Sequence, residues 1–196
     1  MEERYSKDMS HTTWDRVFQR QAERADLARE WLDRLDLRPG ECVLDVGSGP
    51  GFISLLAAER VGPAGLVHAV DRSAEALAYL ERVQVERGVR QIRRVHADVC
   101  ALDRLDPVPD AALVTMMLHH GDDGPAILSA AFRLLRPGGR AVVAEFHPDG
   151  PCEVGPPREH RLAPDVVRRW CEAAGFAVAE EWRQTAEHYA LLVIRP

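Results

Sequence analysis

Short apolar runs alternate with helix-forming segments along most of the chain, and this alternation limits what the chain can fold into. Residues 42–46 form a compact apolar run bounded by turn residues, which reads as a buried strand. Residues 52–60 read as a helix, 66–70 as a strand, 73–87 as a helix and 91–96 as a strand. A strand over 111–116, a helix over 125–135 with proline in its first turn, and a strand over 140–146 follow. The next helix spans 164–174, with Pro164 in its first turn and Gly175 just past its end. Strands separated by helices run parallel, joined by right-handed crossovers with helices on both faces. The expected fold class is therefore a doubly wound, Rossmann-like α/β sheet.

The two ends of the chain depart from that rhythm. Residues 176–183 and 189–195 are strand-like but separated by only a few polar residues, too few for a helical crossover, so they predict an antiparallel hairpin. With it the sheet reaches seven strands, all parallel except at this end. Ahead of the first strand, Trp14, Val17, Phe18, Ala25, Ala28, Trp31, Leu32 and Leu35 recur at spacings of three and four, which predicts one long amphipathic helix over 12–36. The expected division is a helical lid segment over residues 1–40, with Tyr5 and Met9 as lid side chains, and a binding domain over 41–196. The irregular, Pro- and Gly-rich stretch 147–163 is the second candidate roof over a site.

Composition narrows the function classes. A chain of 196 residues with 46% hydrophobic content has room for one sizeable core. Its net charge of -6 gives no general attraction to nucleic acid or anionic lipid, so neither is an expected partner. No apolar run approaches the roughly 20 residues that span a bilayer, and the start has no charged-then-apolar leader. Cys42, Cys100, Cys152 and Cys171 are widely spaced, with no CxxC pair, as expected of reduced thiols in a cytoplasmic protein.

The segment Asp45-Val46-Gly47-Ser48-Gly49-Pro50-Gly51 lies where the first strand hands over to a helix. Glycines there let the backbone turn tightly and let a ligand approach the main chain without meeting a Cβ. Asp71 ends the second strand and Asp98 follows the third. Each acid sits near the carboxyl end of a strand, where open α/β sheets bind ligands. Asp71 also has a plainer reading, as a solvated turn residue or the cap of the helix after it.

The run VLDVGSGPG over 43–51, Asp71, Asp98 and the later Leu135-Arg136-Pro137-Gly138-Gly139 resemble the class I S-adenosylmethionine-dependent methyltransferases. Gly155-Pro156-Pro157 and Ala174-Gly175-Phe176 look like the quinone-biosynthesis and related small-molecule group within them. The resemblance implies S-adenosyl-L-methionine as cofactor and methyl transfer to a small molecule. It places Gly47 and Gly49 against the methionine end, with Asp45 holding the amino group. Asp71 would take the ribose hydroxyls and Arg72 would flank the adenine. Asp98 and the Val99 amide would bond the adenine edge, and Thr115 would border the sulfonium. A nicotinamide or flavin enzyme is the rival on the same fold, but its fingerprint spaces the glycines as GxGxxG, whereas this loop reads GxGxG.

Methyl transfer from a sulfonium is an in-line displacement, and a base is needed only where the acceptor must lose a proton. His119 and His120 after the fourth strand, and Glu145 and His147 at the end of the fifth, are the candidates, with the three histidines as the catalytic expectation. The plainer reading makes them strand caps or pocket wall. A metal held by His119, His120, His147, Cys152 and His160 would lack any recognised ligand spacing, and none is expected. After the fourth strand stands Thr115-Met116-Met117-Leu118 in place of the Asn/Asp-Pro-Pro-aromatic sequence that grips amide and adenine nitrogens, which favours small molecules. The alternative in another class is a cofactor-binding regulator or subunit without turnover.

Overall fold

A computed structural model describes residues 13–120 and 123–196. Seven strands form one sheet in the order β3-β2-β1-β4-β5-β7-β6. They are β1 (Cys42–Val46), β2 (Leu66–Asp71), β3 (Ile92–His96), β4 (Ala111–Thr115), β5 (Arg140–Phe146), β6 (Ala177–Arg183) and β7 (His188–Ile194). The first five are parallel, and β7 is antiparallel to both β5 and β6. The hairpin thus inserts its second strand, which puts His188 beside Phe146 at the carboxyl end of β5.

Burial explains why the central strands read as continuous apolar runs. Every residue of β1 and of β4 is buried, because helices cover both faces. The edge strand β6 alternates between exposed and half-buried positions and carries charges. Helices α1 (Trp14–Ala22), α2 (Ala25–Arg34), α3 (Phe52–Val61) and α4 (Ala74–Arg87) cover one face, where Phe18, Trp31, Leu32, Phe52 and Ala58 meet Val43, Val142 and Ala190. Helices α5 (Gly124–Leu134) and α6 (Pro164–Ala174) cover the other, where Leu128, Val167 and Cys171 meet Leu44, Val143 and Tyr189.

The amphipathic stretch before β1 is two helices rather than one, broken at Glu23–Arg24. The residues 19–24 between the two stripes include no large apolar side chain to hold a straight helix on the sheet. Phe18 of α1 packs on Phe52 and Tyr79. Trp31 of α2 instead donates from its ring nitrogen to Gln184 beyond β6, at 2.6 Å. One straight rod does not reach both ends of this face, so the chain bends between them. Tyr5 and Met9, expected as lid side chains, lie outside the described residues.

The stretch 147–163 is ordered by one side chain. Arg161 is buried and donates to the carbonyls of His147 at 3.0 Å, Pro156 at 3.0 Å and Val154 at 2.6 Å, and to the Glu187 carboxylate. Gly155 stands so close to Phe146 that an added Cβ would lie 2.3 Å from its ring.

Candidate functional site

A cleft of about 490 Å³ opens at the carboxyl ends of β1, β2 and β3. Among its lining residues are Gly47, Asp71, Arg72, Asp98 and Val99, so five of the sequence candidates converge there. Cys100, Met117, His120, Asp123 and Ile127 also line it. No residue of 147–163 lines it. That stretch covers the end of β5 and packs on Phe146, because Arg161 ties it to Glu187 beside β7.

The glycine loop has the backbone it needs. Gly47 has φ +67 and Gly49 φ +54, in the left-handed region that a Cβ disfavours. Met117 packs against Gly47, and a Cβ there would lie 3.2 Å from its terminal methyl. The residue before it, Met116, itself takes φ +53, a strained conformation for a side-chain-bearing residue of the kind that concentrates at sites.

Asp71 anchors the loop. Its Oδ2 accepts from the Gly49 amide at 2.7 Å and its Oδ1 from the Ser73 amide at 2.8 Å. Each oxygen keeps a second lone pair for a ligand hydroxyl. Asp98 accepts from the Cys100 amide at 2.9 Å, and Arg72 reaches only to 3.7 Å from it, an exposed and weak pair.

Asp45, Gly49 and Thr115 stand behind this surface. Asp45 is 1% exposed and accepts from the Ser54 hydroxyl at 2.5 Å. Burial pushes its carboxyl up to about 7, with the nearby Asp71 charge adding to the rise and the Ser54 bond opposing it. Thr115 is buried at the end of β4. At the methionine end expected for the cofactor, two polar atoms that sequence reasoning missed lie orphaned. Ser48 Oγ and Gln21 Oε1 are buried with no hydrogen-bond partner among the described residues, and Gln21 reaches to within 3.7 Å of a Cβ built on Gly49. Buried polar atoms in such numbers at one loop want a polar ligand. Gln21 carried no sequence signal, since only the bend after α1 brings it over the loop.

The histidines divide. The rings of His119 and His120 meet with centroids 3.9 Å apart and planes tilted by 50°, and His120 lines the cleft. The ring Nδ1 of His119 is 2.7 Å from Glu145 Oε2, and both side chains are buried. Glu145 Oε1 also accepts from the Leu118 amide at 2.7 Å, so the carboxylate is held from two sides. His147 is turned elsewhere: its Nδ1 accepts from the Asp149 amide at 3.1 Å and its ring meets the edge of Tyr189. Burial, then the Arg183 charge, lower its pKa. Among the described residues no group of three or more His, Cys, Asp or Glu is placed to hold a metal ion, and no helix is long and apolar enough to cross a membrane. All four cysteines are unpaired.

A family model described as a methyltransferase domain matches residues 43–139, from β1 to the turn before β5. The chain is 35% identical over 123 residues to the 2-phytyl-1,4-naphtoquinone methyltransferase of Trichormus variabilis, covering 62% of this chain and 52% of that protein. It is 30% identical over 142 residues to the ubiquinone biosynthesis O-methyltransferase of Pseudomonas fluorescens, covering 71% of this chain and 60% of that protein. It spans 32% to 60% of the length of such curated relatives. A SAM dependent methyltransferase from Aquifex aeolicus shares the fold at a TM-score of 0.79, over 86% of this chain and 89% of that one, with 21% identity. The inserted antiparallel strand, the GxGxG loop and the acids at successive strand ends agree with these matches and set aside a nicotinamide or flavin enzyme: the chain belongs to the class I S-adenosylmethionine-dependent methyltransferases.

Proposed function

We propose that the cleft binds S-adenosyl-L-methionine and that the chain passes its methyl group to a small-molecule acceptor. The observation that carries this reading is Asp71, which holds the Gly49 amide with one oxygen and faces the cleft beside Asp98 and Gly47. One carboxylate then shapes the loop for the methionine end and accepts from the ribose hydroxyls. Gln21 and Ser48 supply the buried oxygens for the ammonium of that end, with Asp45 behind them. Asp98 and the Val99 amide sit where an adenine edge would be read, between Arg72 and Ile127.

When bound, the cofactor supplies an electrophilic methyl on a sulfonium. An acceptor lone pair would form the new bond to that carbon, with the carbon–sulfur pair returning to sulfur and S-adenosylhomocysteine leaving. The chain's own task is alignment, and Met117, Thr115 and His120 border the place where the reacting atoms would meet. Where the acceptor carries a proton, His119 or His120 takes it. A Glu145 carboxylate on Nδ1 of His119 makes that nitrogen the donor and leaves Nε2 as the basic one. The names of the quinone-pathway relatives support a small organic acceptor.

Calorimetry with S-adenosylhomocysteine, followed by a panel of quinols, phenols, thiols and metalloid oxyanions assayed for S-adenosylhomocysteine release, tests the reading. Saturable binding with turnover of one acceptor class supports it. Binding without turnover on any acceptor leaves a cofactor-binding regulator, and no binding removes the assignment.

A further inference from the structure

A second polar cluster lies at the carboxyl end of β5, two ring contacts from His120. The Phe146 ring is its floor, meeting His119 at 5.4 Å and His188 at 4.9 Å between centroids. Two guanidinium groups lie over the same ring, Arg161 at 5.4 Å and Arg24 at 5.8 Å. Their circumstances differ. Arg161 is neutralised by Glu187, whose other oxygen accepts from the Glu153 amide. Arg24 has no carboxylate within ion-pair distance among the described residues, although it is half-buried at the bend between α1 and α2. Its one hydrogen bond there is from Nε to the Arg20 carbonyl, at 3.1 Å, which leaves the outer guanidinium nitrogens for another acceptor.

His188 adds a second donor with nothing to donate to. The Thr185 hydroxyl oxygen already accepts from the amides of Glu187 at 3.0 Å and His188 at 3.1 Å. Its hydrogen is therefore directed at His188 Nδ1, 2.9 Å away. A ring nitrogen that accepts places the proton of the neutral imidazole on Nε2. That Nε2 is buried without a partner in a residue 4% exposed. Burial and the Arg24 charge hold the ring neutral, its pKa pushed down to about 4. Burying donors and a cation with no acceptor is costly, and one oxyanion placed between them would satisfy both.

Building on the methyl-transfer reading, we infer that Arg24 and His188, over the Phe146 ring, form a subsite for an oxyanion of the acceptor, a carboxylate or a phosphate. The acceptor is then a planar or extended anion, its charged end at Arg24 and its nucleophile toward His119 and His120. Arg24 and His188 set specificity and take no part in the proton transfer.

The test uses the full chain labelled with 15N-histidine, read by long-range proton–nitrogen correlation at neutral pH. It is titrated separately with benzoate, with inorganic phosphate and with uncharged benzyl alcohol. Benzoate or phosphate should move the His188 Nε2–H resonance saturably, benzyl alcohol should not, and whichever anion acts identifies the carboxylate or phosphate class. Arg24→Gln should weaken that anion by at least about tenfold, as loss of one charge-assisted bond implies. Arg24→Lys should recover part of it, and His188→Phe keeps an aromatic ring against Phe146 while removing the donor. Affinity for S-adenosylhomocysteine, measured alongside, should change less than about threefold in each variant. An unmoved His188 signal with both anions overturns the subsite. An equal loss of S-adenosylhomocysteine affinity in Arg24→Gln overturns it too, since the anion is then the cofactor's own carboxylate. A chain that never binds S-adenosylhomocysteine yet shifts His188 with benzoate overturns the methyl-transfer reading and keeps the anion site.

Discussion

The Asp71 carboxylate and the Gly49 amide meet at 2.7 Å across the handover from β1 to α3, so the acid at the end of β2 holds the shape of a loop 22 residues before it. The proposed cofactor contact and the loop geometry therefore share one side chain. Asp71→Ala should lower affinity for S-adenosylhomocysteine by roughly 2 to 4 kcal/mol, because hydrogen bonds to a charged group are lost together with the loop anchor. Asp71→Asn keeps one acceptor oxygen and should fall between that variant and the wild type. Calorimetry on both separates the contributions, and unchanged affinity in Asp71→Ala would refute the assignment of this acid.

Asp45 makes stability depend on pH in an unusual direction. Its folded-state carboxyl, pushed up to about 7 by burial, lies above the unfolded value near 3.9. The unfolded state releases this proton first as pH rises, so the contribution is whole below about pH 4 and is lost between there and about pH 7. At most about 4 kcal/mol is involved, from three units of difference. Asp45→Asn should flatten this slope, with a higher melting temperature than wild type at pH 8 and little difference at pH 4. Melting curves of the two proteins across that range decide it.

Glu145 and His119 form a buried pair whose members should fail differently. Glu145→Ala leaves the imidazole and the Leu118 amide without their acceptor, and should cost about 3 to 5 kcal/mol of stability. Glu145→Gln keeps an acceptor but no charge, so it should fold, yet lose turnover and shift the pH profile of the reaction. His119→Gln should lower turnover by about 10² to 10⁴ if this ring is the base. His147→Gln should stay near wild type, its ring being directed at Tyr189. Steady-state kinetics across pH, on an acceptor from the panel, read all of these.

Arg161 should matter more to folding than to binding. Arg161→Met strands the Glu187 carboxylate and frees three carbonyls of residues 147–156, so it should destabilise by about 3 to 5 kcal/mol. Affinity for S-adenosylhomocysteine should hold below the unfolding transition, since none of these residues lines the cleft. Denaturant unfolding beside calorimetry distinguishes the two effects.

Gly51 tests the backbone. It has φ +85, and an added Cβ would lie 2.3 Å from a Leu80 methyl. Gly51→Ala should cost about 1 to 3 kcal/mol through strain and overpacking together. A variant that melts with the wild type would mean that this turn adapts freely.

What the sequence determined by itself was local and periodic. The bounds of β1, β5 and α6 follow from apolar runs closed by Pro and Gly, and the hairpin from a linker too short for a helix. Val99 was named only through the family resemblance, while the nearness of Gly47, Asp71 and Asp98 was legible because a parallel sheet places all strand ends at one edge. Direction of side chains was not. Asp45 reads like the other acids, yet its place inside a five-residue buried strand turns it beneath the loop toward Ser54. Glu145 in β5 and His147 just past its end are two residues apart, and only the neighbours decide that the first meets His119 while the second meets Tyr189. The single helical stripe before β1 keeps its register across the break, and the gap in large apolar residues over 19–24 was its one sign. That bend alone carries Gln21 over Gly49 and Arg24 over Phe146, contacts between residues far apart in sequence that only the closed sheet brings together.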